Sequence, residues 1–380
     1  MGTLVKTDVV VIGAGVMGLM AARELSAGGC RVVVLERAEA AQEASWAGGG
    51  IVSPLYPWRY NAAVTALSSW SQGRYVPLAR ELERQTGISP ELRQKGLLML
   101  AVDDQDVALQ WAFQNDRPLS QIDAAAIAEL EPHIQINHDS GMWMPEVASI
   151  RNPRLGQALV RSIELDPNIT LVSRAQVECF DLDGGRVSAV ETSAGRFEAD
   201  KFLVCAGAWS GDLMWLLGRK LAVEPVKGQM MLFNAEKLQQ VTSGNKPAAP
   251  ILDRVVLTNG RYLIPRNDGR ILVGSTLEYQ GYDKQITKTA YQSLHQSALD
   301  ILPALAQCPV EAQWAGLRPG SVDGVPYIGA VEGLDNLYLN AGHFRNGLVL
   351  APASCRLIAD LILERPPVID PSPYRWSLQP

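Results

Sequence analysis

Runs of apolar residues and spaced apolar residues succeed one another along this chain, and the change of period predicts its elements. The opening stretch, Asp8-Val9-Val10-Val11-Ile12-Gly13-Ala14-Gly15-Val16-Met17-Gly18, is an apolar run of strand length that ends in glycines. An amphipathic segment follows, and then a second apolar run, Arg31-Val32-Val33-Val34-Leu35-Glu36, ending in an acid. Helical spacing of Leu67, Trp70, Tyr75, Leu78 and Leu82 predicts helix between Ala62 and Thr86. Gly96 to Val102 reads as a strand, and Ile122 to Leu130 as a short helix ending before Pro132. Leu155 to Ile163 reads as helix, and Ile169 to Val172 and Ala175 to Phe180 as strands. The turn Asp183-Gly184-Gly185 sends Arg186 to Glu191 back along its neighbour. Phe202 to Ser210 is a buried strand ending in small residues, of the kind that face a ligand crevice in an open α/β sheet.

The texture changes from Ala222 onward. Val226 to Phe233, Arg261 to Pro265 and Arg270 to Ser275 read as strands of a mainly antiparallel sheet, with Asn267-Asp268-Gly269 as a hairpin turn. Ala290 to Leu302 reads as a helix stopped by Pro303. The first texture then returns: Leu337 to Asn340 is a strand, Ala341 to Gly347 a turn, and Leu348 to Leu363 a helix. Pro352 is tolerated in that helix only if it falls in the early turns. The fold class is therefore α/β (α+β overall), a Rossmann-like nucleotide domain interrupted by a mainly antiparallel sheet domain. The expected division gives residues 1–85, 145–220 and 318–366 to the nucleotide domain and 86–144 and 221–317 to the other. Residues 367–380 form a C-terminal tail.

The first βαβ unit carries chemistry. G-x-G-x-x-G between a strand and a helix, with an acid after the next strand, holds an adenine dinucleotide. Gly13 permits the tight turn and Gly15 lets the backbone approach a pyrophosphate at the helix N-terminus. Gly18 lets the helix lie close to the sheet, and Glu36 stands at the roughly 20-residue spacing that suits ribose hydroxyls. The small-residue segment Glu43 to Ile51, with Gly48-Gly49-Gly50, either lets backbone approach a flat ring or is a flexible loop.

Composition narrows the function classes. A chain of 380 residues, 47% of them hydrophobic, buries more than one core. The net charge of -6 and the lack of a basic stretch argue against nucleic acid as partner. The five cysteines are odd in number and scattered, so they read as buried apolar residues of a reduced compartment. No leader and no apolar run of about 18 residues is visible, which points to a cytoplasmic protein without a membrane span. The four histidines show no ligand-pair spacing, so no metal is expected.

Several blocks coincide with one family. Val11 to Gly18, Gly48 to Gly50, Val204 to Ser210, Val226 to Gly228, Tyr262 to Arg266, Trp314 to Gly320, Gly324 to Gly329 and Gly342 to Gly347 carry the likeness. The chain resembles the FAD-dependent amino-acid oxidases of the D-amino-acid oxidase superfamily, and within it the glycine oxidase group. The likeness covers essentially the whole length. It implies noncovalent FAD held by Gly13, Ala14, Gly15, Val16, Met17, Gly18, Glu36, Arg37, Glu43, Ala44, Ser45 and Gly48 to Gly50. It adds Val177, Ala206, Gly207, and the run His343, Phe344, Arg345, Asn346, Gly347, Leu348 and Val349. Arg318 matches the arginine that grips the substrate carboxylate, Tyr262 the tyrosine that reaches it, and Arg345 the arginine beside flavin and substrate. The sequence departs from the pattern at Gly260 (a histidine in the group), Leu277 (a methionine) and Val52 (a glycine), so Val52 and Leu277 are expected to shape the pocket.

The implied reaction is oxidation of glycine, sarcosine, N-ethylglycine or small D-amino acids to an imine by hydride transfer. The imine then hydrolyses to glyoxylate or a 2-oxo acid with ammonia or an amine, and oxygen becomes peroxide. Supply of dehydroglycine for thiamine biosynthesis and a homotetramer are implied as well. A planar guanidinium suits the work, because two parallel hydrogen bonds to a carboxylate fix which face of the α-carbon is presented. On residues alone, Arg318 lies between loop-forming runs and equally suits a surface turn, Tyr262 a core aromatic, and Arg345 a salt-bridged loop. The turn after Gly342 precedes a helix whose amides and dipole suit negative charge. No side chain stands out as a general base; His343, alone in a loop, reads as structural. A nicotinamide dehydrogenase, a D-amino-acid dehydrogenase, a sarcosine oxidase-like enzyme, an enzyme acting on a modified RNA base and a noncatalytic flavin-binding subunit are the alternatives.

Overall fold

The computed structural model describes residues 5–239 and 250–377. Two eight-stranded sheets organise them. In the first, β1 (Val5–Ile12) pairs in parallel with β2 (Val32–Leu35) on one side and with Gly195–Val204 on the other. The strands Ile169–Val172 and Leu334–Ala341 extend it, also in parallel. Its central strands are continuously apolar over Val9–Ile12, Val32–Leu35 and Phe202–Val204, where both faces are covered. Helix α1 (Val16–Ala27) and the helices Asn152–Glu164 and Gly347–Ile362 pack one face through Leu19, Leu25, Leu159 and Ile358. The antiparallel strands Val177–Asp183 and Arg186–Thr192 lead back to Gly195–Val204, and Val187, Val190 and Phe197 from this meander help cover the other face. Their turn is the expected one: Gly184 and Gly185 both have positive φ, as a two-residue hairpin turn requires.

The second sheet runs Val310–Ser321, Val223–Asn234, Arg270–Gly274, Arg261–Pro265, Val255–Thr258, Leu97–Leu100, Ser140–Met144 and Ser120–Asp123. It is antiparallel except between Val255–Thr258 and Leu97–Leu100. Asn267-Asp268-Gly269 turns the predicted hairpin, closed by Arg266 N donating to Arg270 O at 2.8 Å.

The elements depart from the sequence-based expectations in four places. Ile122 and Asp123 belong to a strand, and the helix is only Ala124–Leu130, capped by Asp123 accepting the Ala126 amide. The helical stretch from Ala62 breaks at Gly73-Arg74 into Ala62–Gln72 and Tyr75–Thr86. Arg318 sits on an unbroken strand, Val310–Ser321, so residues 318–321 stay with the second sheet. Pro352 is the sixth residue of its helix, past the first turn. Its ring displaces the carbonyl four residues back and breaks the ladder. Here the Tyr75 hydroxyl donates to that carbonyl, Leu348 O, and Ser71 Oγ accepts the neighbouring Ala353 amide at 2.9 Å. Tertiary partners, not position, make this proline tolerable.

Of the five free cysteines only Cys205 and Cys355 are buried; Cys179 is exposed, because it faces outward on an edge meander. The tail packs: Tyr374 is buried and donates to Ala63 O at 2.8 Å. Among the described residues no helix is long and apolar enough to cross a membrane, and no acid, His and Cys cluster could hold a metal.

Candidate active site

A two-armed cavity lies between the carboxyl ends of the first sheet and one face of the second. One arm is walled by the turn Gly13-Ala14-Gly15 and by Glu36, Arg37 and Glu43. Val177, Ala206 and Gly207 close it. Gly13 has φ +106°, and a Cβ there would lie 2.5 Å from Cys205 O, so only glycine turns β1 into α1 at this height. Gly18 lines neither arm; a Cβ on it would meet Gly13 O, so its role is the close seating of α1 on the turn. The helix has no side-chain cap of its own. Instead Ser45 Oγ accepts the Val16 amide at 2.9 Å and Glu36 Oε2 accepts the Ala14 amide at 2.9 Å. Arg37 lies over the Trp209 ring, 3.5 Å from its centroid, and Glu43 pairs with Lys284 at 2.9 Å.

The arms join at Gly15, Ala44 and Ser45. Beyond them Val16, Met17 and Gly48-Gly49-Gly50 form one wall of the second arm, with Phe344 to Val349 as another. The second sheet holds the glycine segment from behind. Arg266 is buried and donates to Gly49 O at 2.8 Å and Ile150 O at 3.0 Å; burial lowers its pKa to about 10. Trp314 Nε1 donates to Ala47 O at 3.0 Å. His343 Nε2 lies 3.2 Å from Ser354 Oγ, and burial pushes the imidazole down to about 3, so it is neutral.

Three buried polar atoms of this arm, Asn152 Oδ1, Asn340 Oδ1 and Asn346 Nδ2, have no partner among the described residues. Buried acceptors and donors left so are costly, and a flat ligand with polar edges satisfies them. The residues therefore fit a flavin ring in the second arm and an adenosine diphosphate in the first.

At the far end of the second arm stand Arg318 and Tyr262. The Arg318 guanidinium lies flat on the backbone of the adjacent strand, where a Cβ on Gly228 would be 2.2 Å from Nη1. It donates to Lys227 O and Thr276 O at 3.2 Å and to Ser275 Oγ at 2.8 Å. All three acceptors are neutral, and among the described residues Arg318 has no ion pair. Burial, aided by the charge of Arg345, lowers its pKa, against the opposing influence of Tyr262 and Glu278. Tyr262 is 7% exposed, and among the described residues its hydroxyl has only the Met230 sulfur, at 3.5 Å, as partner. Arg345 is exposed at the rim. An anion entering here meets a buried, uncompensated cation.

Two expected pocket residues lie elsewhere. Val52 is buried in the helical core, its amide donating to Ala148 O. Leu277 is 48% exposed and lines neither arm, because the chain after Gly274 leaves the sheet. Conversely, Asn152, Met230 and Asn340 line the site but had no distinguishing pattern in sequence. Gly228 and Gly316 were visible within longer motifs, though nothing local said what they touch.

The family model for FAD dependent oxidoreductase, DAO, matches residues 8–361. The chain is 52% identical to a glycine oxidase of Pseudomonas aeruginosa, covering 96% of this chain and 97% of that protein. It is 50% identical to a glycine oxidase of Pseudomonas putida, covering 97% of each. The crystal structure of glycine oxidase from Geobacillus kaustophilus superposes with a TM-score of 0.89 at 26% identity, covering 98% of each chain. The chain belongs to the DAO family of FAD-dependent oxidoreductases and is an FAD-dependent amino-acid oxidase of the glycine oxidase group.

Proposed function

We propose that the protein oxidises glycine and similarly small amines or amino acids, with Arg318 as carboxylate anchor. The observation that carries this is the buried Arg318 guanidinium at the end of the cavity, held by three neutral acceptors and, among the described residues, by no carboxylate. Overall, glycine, oxygen and water become glyoxylate, ammonia and hydrogen peroxide. Bound FAD supplies the two-electron acceptor for the α-carbon hydrogen. The chain's own residues position the substrate: Arg318 offers paired N–H groups to the carboxylate and Tyr262 adds a third donor from a hydroxyl with only a sulfur partner. Arg345 at the rim adds positive charge that draws the anion inward. Burial holds the His343 imidazole down to about 3 and its Nε2 is bonded to Ser354, so it is too weak a base to take a proton from the substrate, and a neutral amine reacting by hydride loss needs none.

The FAD is held without a covalent bond in this reading. Cys205, the cysteine that lines the cavity, is buried with its thiol pushed far up, and thiolates, not thiols, make such links. The reading extends to a cytoplasmic homotetramer whose imine product enters thiamine biosynthesis, and to two units that meet at the cavity. Oxygen uptake by the yellow protein with a panel of glycine, sarcosine, N-ethylglycine and small D-amino acids tests it. Peroxide formed with glycine is expected. Turnover only with an artificial acceptor means a dehydrogenase, and turnover of larger D-amino acids alone removes the glycine assignment.

A further inference from the structure

Beneath the carboxylate anchor lies a second set of charges that the reaction itself does not use. Lys227 is 1% exposed, on the strand beside Arg318, and its carbonyl is one of the three Arg318 acceptors. Its ammonium lies 3.0 Å from Asp283 Oδ2 and 3.8 Å from Glu278 Oε2. Glu278 is pinned further. Its Oε1 accepts from Gln229 Nε2 at 2.9 Å and from the Thr276 hydroxyl, and its backbone exchanges both hydrogen bonds with Lys227 at 2.9 Å. The Thr276 carbonyl in turn accepts from Arg318 at 3.2 Å. Glu278 is thus two residues from an Arg318 partner, close enough for its charge to act on the guanidinium, yet the two form no ion pair.

That arrangement is unusual for a buried arginine, which ordinarily takes the nearest carboxylate. We propose that Lys227 is a positioning residue. With Gln229, its ammonium holds Glu278 away from Arg318, so that the guanidinium stays open for the carboxylate of a substrate. This rests on the reading of Arg318 given above. Without the lysine charge, Glu278 faces an unpaired guanidinium from the same loop at high effective concentration, and a carboxylate ligand must displace it.

Acetate, an unreactive carboxylate, titrated into the FAD-loaded protein and followed by the flavin absorbance change, tests this. Lys227→Met is expected to weaken acetate about tenfold or more, with flavin content unchanged and the glycine KM raised more than kcat falls. Adding Glu278→Gln is expected to restore most of the loss, and Lys227→Arg, which keeps the charge, to stay near wild type. A lysine that merely supports the fold predicts no rescue by the second substitution, and that result overturns the proposal, as does unaltered acetate binding in Lys227→Met. Should Lys227→Met fail to fold, Glu278→Gln alone decides: acetate binding as tight as wild type or tighter supports the role, and a tenfold loss overturns it. Wild-type protein that ignores acetate removes the anchor itself, and this role with it.

Discussion

The two arms of the cavity recognise their ligands by different means. The dinucleotide arm is built largely of backbone from short turns at the ends of parallel strands, Gly13 to Gly15 above all. The carboxylate end is built of side chains, Arg318 and Tyr262, from strands of the other sheet that are joined by register rather than by sequence. Backbone recognition needs one turn and a helix start, so it can be compact in sequence. Side-chain recognition of a carboxylate needs an oriented guanidinium, and here every group orienting it comes from residues 227–276.

If the contrast is right, the two arms fail separately. The largest effect is expected from Gly15→Leu. A Cβ at that position meets only Ser45 Oγ, at 3.0 Å, so the fold can absorb it while the path of a pyrophosphate cannot. The purified variant should be colourless; a yellow, active one would break the backbone argument. Next, Arg318→Ala should retain flavin and raise the glycine concentration for half-maximal rate by roughly two orders of magnitude, about 3 kcal/mol. Unchanged saturation would remove Arg318 as the anchor.

In the second arm, His343 gives an effect on stability with a defined sign. Burial lowers its pKa from 6.5 to about 3, so between those values the unfolded chain binds a proton that the folded one does not. Its contribution is intact above pH 6.5 and declines as the pH falls toward 3, by about 1.4 kcal/mol per pH unit at most. Denaturant titrations across this range should show a shallower acid decline for His343→Gln. The smallest effect is expected for Tyr262→Phe: one hydrogen bond to the carboxylate, about 1 kcal/mol, read as a KM increase of several fold with flavin content unchanged.

Legibility differed between the arms for the same reason. Strand, glycine turn, helix and acid fall within one βαβ unit, so the dinucleotide arm was readable from Val9 to Glu36. Arg318 was recognisable only through the family resemblance of its motif. Its surroundings suggested a loop, because Gly316, Pro319 and Gly320 are poor strand residues by propensity. The structure keeps them in a strand because Gly316 must pass Ala47, where a Cβ would lie 2.5 Å from that side chain, and Gly320 must pass Val226. Leu277 and Val52 were misplaced by the same limit, since correspondence in sequence does not say where a side chain points.

By itself, then, the order of residues determined the parallel core, the glycine turn and the broken return to that core at Leu337, since each follows from local periodicity and turn chemistry. Only tertiary packing decided that Arg318 is buried without an acid, that Pro352 is tolerated through Ser71 and Tyr75, and that Asn152, Asn340 and Asn346 present unpaired atoms to one cavity. These depend on groups far apart in the chain meeting in a low-dielectric space, where a hydrogen bond or charge has a partner or lacks one, and no local pattern encodes that.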